Sequence, residues 1–185
     1  MKMKFRDFFK YYSYGIVRIF VDQIAIAIFA SAVALGTAYK NMPLAIASSV
    51  FSVLFFMFMV AELTFRQGVE DKEKTDIGRF ERNNLTGLYM GLLANVPNFV
   101  LALAFLILKY IPSAQNIAGV VNIIMRLICG EYMGLLAIKV GGAQLGTYPI
   151  SLFVIMIPGI LAAFLGYYLG VSGKIIIKPT KKDLE

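Results

Sequence analysis

Six polar or charged residues within apolar stretches are the candidates for chemistry: Arg18, Asp22, Asn95, Asn98, Arg126 and Glu131. Charges inside hydrocarbon are expensive, so they pair, line a water path or bind a ligand. Arg18 and Asp22 stand at i, i+4, which puts them on one face of a helix. They read as an interfacial ion pair, with the Arg18 stem lying along apolar surface; the alternative is a place on a substrate or proton path. Arg126 and Glu131 are five apart, so an ideal helix turns them about 140° away from each other. A break near Gly130 would bring them together. Asn95 and Asn98 flank Pro97, which removes a backbone hydrogen bond and crowds the carbonyl of Leu93. Two amides there could satisfy the loosened backbone or bind a ligand. Pro158-Gly159 is a second interruption, and broken helices meeting at mid-membrane point to transporter sites.

Other chemistry is excluded by residue type. The chain has no His, no Trp and one Cys, Cys129. His-based triads and His or multi-Cys zinc sites are therefore impossible. Gly170-Val171-Ser172-Gly173 imitates the G-x-S-G of rhomboid-type proteases but lacks the His partner. Gly173-Lys174 imitates the end of a P-loop, yet Tyr168 stands where its first Gly belongs and Ile175 where Ser or Thr does. The expectation is a non-enzymatic protein without catalytic residues, metal or cofactor, and with no nucleic-acid partner.

The elements that must position these residues are membrane helices. The 185 residues are 59% hydrophobic and only 16% charged, with mean hydropathy +0.74. A soluble domain is about half apolar and roughly a quarter charged. Apolar runs extend over 19–38, 43–63, 85–111 and 148–172, each near the ~20 residues that cross a ~30 Å hydrocarbon core. Open strands cannot span lipid, so all are helices. A fifth apolar segment, 117–140, carries Asn122, Arg126 and Glu131. It is long enough to cross once and too short to cross twice.

Basic residues decide between the topologies, because they collect on cytoplasmic flanks. Four lie in the leader 1–13, five in the loop 65–84 and four in the tail 173–185. All three blocks share one side only if the number of full crossings is even. The expected fold is thus an all-α single membrane domain over 1–185, with four transmembrane helices and one re-entrant or tilted segment. Five transmembrane helices are the alternative. Both termini and the 65–84 loop are expected on the cytoplasmic side of the cell membrane. The leader, with Lys2, Lys4, Arg6 and Lys10 among Phe5, Phe8, Phe9, Tyr11 and Tyr12, reads as an interfacial helix. Asp22 and Gln23 argue against a cleaved signal peptide at Ala30-Ser31-Ala32. The middle loop reads as solvated, and the tail as a basic end near anionic lipid.

One octapeptide is written twice, GLYMGLLA from Gly87 and GEYMGLLA from Gly130. The likeness stops at its edges, so it reads as one packing solution used twice. On helices, Gly87, Gly91, Ala94 and Asn98 share a face, as do Gly130, Gly134, Ala137 and Gly141. Ala162, Gly166 and Gly170 form a third small-residue face. Such faces let backbones approach in lipid, and they suggest a partner: copies of this chain or another membrane protein. Tyr89 and Tyr132 are expected to point away from their grooves. The leading functional expectation is a non-enzymatic membrane subunit that packs on partner helices. The alternative is a small-molecule transporter or membrane-embedded substrate-binding subunit.

With its C-terminal GYYLGVSGK, the chain resembles small uncharacterised polytopic membrane proteins of Gram-positive bacteria, a resemblance that implies no known activity. Its size and the Ala30/Ala34/Ala38 stripe also resemble substrate-binding subunits of energy-coupling vitamin transporters, which usually have six spans.

Overall fold

Apolar side chains recur along the chain in runs that only helices can present to lipid, and helices are what form. The computed structural model describes residues 5–38, 41–79 and 83–173. About 85% of it is helical. The elements are α1 (Phe5–Ala38), α2 (Met42–Asp76), α3 (Thr86–Ala94), α4 (Val96–Lys109), α5 (Gln115–Ile128), α6 (Met133–Leu136), α7 (Pro149–Val154) and α8 (Ile157–Val171). A short antiparallel hairpin, β1 (Lys139–Val140) and β2 (Ala143–Gln144), follows α6. Three helices are long and apolar enough to cross a membrane: α1, α2 and the continuous stretch Pro149–Val171. Two further helix pairs qualify if each bent pair counts as one span.

Both bends have local causes. Asn95 ends α3, and α4 leaves at 52°. Pro97 sits in the first turn of α4, where its missing N–H costs nothing. The Asn95 side-chain amide donates to Gly91 O at 3.0 Å, a carbonyl that also accepts the Asn95 N–H at 3.2 Å. The second bend, 91°, falls between Pro112–Ile128 and Gly130–Leu136. There the chain passes through a single 3₁₀ turn, Gly130–Tyr132, into the four residues of α6.

Two sequence expectations need correction. The stretch 65–84 is not a loop throughout: α2 runs on to Asp76. At 1.5 Å per residue its 35 residues span ~52 Å, well past a ~30 Å hydrocarbon core. Its charged end stays helical because Arg66–Glu62 and Lys74–Glu70 pair at i, i+4, and because Asp71 is buried and held. The leader is likewise not a separate helix: from Phe5 it forms the first turns of α1 without a break. Met1–Lys4, Lys40, Arg82 and the basic tail from Lys174 lie outside the described residues.

Two ends of the bundle can be distinguished by contact. At one, Tyr12 and Tyr167 both donate to Asp71 Oδ2, at 2.6 and 2.9 Å. This ties the start of α1 to the C-terminal parts of α2 and α8. At the other, Lys109 Nζ donates to Thr147 O, and Asn122 Nδ2 donates to Gly146 O. This joins the end of α4 and the middle of α5 to the turn before α7. The apolar core is correspondingly divided. Tyr12, Ile16, Phe56, Val60 and Met90 pack in one cluster; Phe105, Met125, Leu136, Leu152 and Met156 pack in the other.

Candidate functional site

The second bend brings residues 129–131 against α1 because of two glycines. A Cβ on Gly130 would collide with the Ala27 carbonyl and the Ser31 hydroxyl. A Cβ on Gly134 would collide with the Ala45 carbonyl and stand 2.7 Å from Ser49 Oγ. Ser49 Oγ accepts instead from Gly134 N–H at 2.8 Å, so this short segment docks backbone to backbone on α1 and α2.

The docking turns Glu131 inward, where it is fully buried. Gln23 of α1 donates through Nε2 to Glu131 Oε1 at 3.0 Å and to Cys129 Sγ at 3.5 Å. Gln23 Oε1 accepts from Asn98 Nδ2 at 3.0 Å. The same Asn98 nitrogen donates to Asn95 Oδ1 at 3.0 Å, and Asn95 donates to Gly91 O. One connected chain of polar groups thus runs from the bend at Gly130, across α1, to the break at Asn95. Along the third segment it sits at the handover between the two cores: Ala94 belongs to one, Ala102 to the other. Buried polar atoms are normally paired. Here Glu131 Oε2 and Asn98 Oδ1 have no hydrogen-bond partner among the described residues. Nearby hydroxyls, Ser31 and Tyr132, are also without one.

Of the six residues singled out in the sequence, Asn95, Asn98 and Glu131 are brought together. Arg126 is not. The break near Gly130 exists, but Arg126 Nη1 donates to Gln144 Oε1 at 3.2 Å and its guanidinium lies over Gly146. The 91° bend sends Glu131 to α1 and leaves Arg126 facing the hairpin. Arg18 and Asp22 also lie apart. They pair at 3.8 Å with side chains 50% and 21% exposed, as an interfacial pair would. Gln23 was read in the sequence only as an interruption, yet it bridges the two breaks. Its signal was an amide in an apolar run, with no spacing to name its partners at 98 and 131.

The small-residue faces are spent inside the chain. Gly87 meets the Ala163 carbonyl, and Gly91 meets Ile160 and Ala163, all on α8. Gly166 and Gly170 meet the carbonyls of Ala61 and Phe65 on α2, where Gly68 is equally tight; Ala162 is buried beside them. Gly141 is not on a helix face. It and Gly142, at φ 61° and 83°, make the hairpin turn, a positive-φ pair suited to glycine. Tyr89 points outward at 42% exposure, whereas Tyr132 is buried in the core.

Two surface grooves are lined by apolar residues, one by Phe58, Phe65 and Leu165 and one by Leu106, Tyr110 and Phe153. Neither contains a member of the polar chain. The chain matches no known family model, no curated protein and no solved structure.

Proposed function

We propose that the protein is a non-enzymatic, membrane-embedded transporter or substrate-binding subunit for a small solute, with Gln23, Asn95, Asn98 and Glu131 at its site. The observation that carries this reading is the buried polar chain joining two helix breaks, with Glu131 Oε2 and Asn98 Oδ1 unpartnered. Interrupted helices free polar groups at membrane depth where a ligand can use them. Close packing alone would favour apolar residues at these positions.

The topology we propose has four crossings and one re-entrant segment, 112–148, in a bacterial cell membrane. The support is twofold. The Lys109 bond to Thr147 O brings the turn before α7 back beside the end of α4, just before α5 begins. The Asp71 bonds hold the start of α1 beside the end of α8. With the basic-residue rule, this supports a cytoplasmic Asp71 end.

The test is thermal stabilisation of the purified protein by a panel of metabolites and inorganic ions. A true ligand at 100 times its Kd adds about 2.7 kcal/mol. That gain should disappear in Asn98→Leu and persist in Leu92→Val. Absence of any stabilising solute, together with a stoichiometric co-purifying membrane protein, would reject this reading. It would favour a subunit that packs on partner helices, for which the apolar groove between α2 and α8 is the available surface.

A further inference from the structure

Donors and acceptors in the buried chain can be counted. Gln23 spends both amide hydrogens, on Glu131 and Cys129. Asn98 spends both of its own, on Gln23 and Asn95. What remains unpartnered on these two side chains and Glu131 is acceptor: Asn98 Oδ1 and Glu131 Oε2. An ionised carboxyl only accepts, while a protonated one carries an O–H. Within these three side chains hydrogen is therefore short; the unspent hydroxyl hydrogens nearby belong to Ser31 and Tyr132. Positive charge is short as well, since among the described residues no Lys or Arg nitrogen lies within 4.0 Å of Glu131. A buried carboxylate without a cation is costly.

We infer that this site binds a proton on Glu131, and that binding and release of that proton is part of the transport cycle. The second half rests on the transport reading above. A hydronium ion on one side gives up a proton, which forms an O–H bond at Glu131 Oε2. Breaking that bond returns the proton to water on the other side. No electron is transferred, and no co-reactant is needed. The titratable neighbours are Cys129 and Tyr132 on the same segment. From α1 come Gln23 and Ser31, and from α4 comes Asn98. From α2 comes Ser49, bonded to Gly134 N–H. Arg126 of α5 is turned toward Gln144.

The test is infrared difference spectroscopy of the full chain in liposomes, titrated with pH in sodium-free choline buffer and in sodium chloride. The expected result is a protonated-carboxyl band that comes and goes reversibly with pH, is missing in Glu131→Gln, persists in Asp71→Asn and does not move with sodium. If wild type and Glu131→Gln give the same bands at every pH where the protein is folded, the inference is overturned. A tenfold rise in sodium that displaces the titration also overturns it, by making the site a metal-cation site. Should Glu131→Gln fail to assemble, Gln23→Leu removes the donor to Oε1 and should shift the band; an unshifted band refutes the assignment. Solutes that stabilise wild type without any such band would reject the proton site and leave the transport reading. A titrating band with no stabilising solute would do the reverse.

Discussion

A single methyl group at chosen glycines should separate packing positions from open ones. In Gly134→Ala the new Cβ falls inside the Ala45 carbonyl and 2.7 Å from Ser49 Oγ. Carbon contacts want about 3.5–4.0 Å, so α6 must back away from α2 by roughly 1 Å. That retreat loosens the 2.8 Å Gly134–Ser49 hydrogen bond, worth about 1 kcal/mol. Overpacking at a rigid backbone adds about 1–3 kcal/mol. The expected loss is thus about 2–4 kcal/mol. Gly91→Ala should be milder. Its Cβ would meet Ala163 Cβ and Ile160 Cα at 3.1 Å, and the helix gains about 1 kcal/mol from replacing glycine. Gly119→Ala, with nothing within 4 Å, should be neutral or stabilising by up to about 1 kcal/mol. The assay is denaturation in mixed micelles with rising dodecyl sulfate, read by loss of the monodisperse folded peak. Equal midpoints for Gly134→Ala and Gly119→Ala would refute the close-docking argument.

Three further outcomes are expected. In a Cys129→Ser background, an impermeant thiol reagent on intact cells should label Ser113→Cys and spare Glu73→Cys and Lys181→Cys; labelling of position 181 with 73 protected would mean five spans. Tyr12→Phe removes the 2.6 Å donor to buried Asp71 and should cost about 1–3 kcal/mol in the same denaturation assay, an unchanged midpoint counting against the tie between α1 and α2. Glu131→Leu, which makes the second octapeptide identical to the first, should leave helicity by circular dichroism unchanged while destabilising by about 1–3 kcal/mol, because Gln23 loses its acceptor; a rise in helicity would show that the octapeptide, and not its docking, sets the bend.

The helical class and the approximate run limits were legible because lipid leaves no other backbone solution. The apolar runs 19–38 and 43–63 fall within α1 and α2. What misled was charge. Charged residues in 65–84 suggested a loop, yet polarity does not end a helix. Glu62–Arg66 and Glu70–Lys74 are both i, i+4 pairs, a helix signal present in the letters. The burial of Asp71 was not legible. Its partners Tyr12 and Tyr167 lie 59 and 96 positions away, and no local pattern encodes such a meeting. The hairpin had a local signal, Gly141-Gly142, that the helix-face reading absorbed. Three of the four residues of the candidate site, Asn95, Asn98 and Glu131, were legible for a reason that generalises: polar residues in apolar segments are costly, so each asks for a partner. Which partner it finds is set by bends. Arg126 and Glu131 were separated by the very break that could have joined them.

The repeated octapeptide shows why letters alone stop short. As GLYMGLLA, residues 87–94 form all but the first residue of helix α3, and both glycines face α8. As GEYMGLLA, residues 130–137 form a 3₁₀ turn followed by a four-residue helix, and the glycines face two different helices, α1 and α2. The shared content is closeness: in both copies a side chain at either glycine would press on a neighbouring chain segment. The backbone differs because the surfaces differ. The first copy lies along one helix, which a straight helix can follow. The second must touch two helices, with its glycines set against Ala27 and Ala45, and a tighter turn makes both contacts. The single changed letter then takes its meaning from that turn. Leu88 is half-buried against apolar neighbours, whereas Glu131, at the equivalent position, is carried into the interior beside Gln23. A glycine pattern that brings backbones together is thus also what delivers the one fully buried glutamate among the described residues to an amide on another helix.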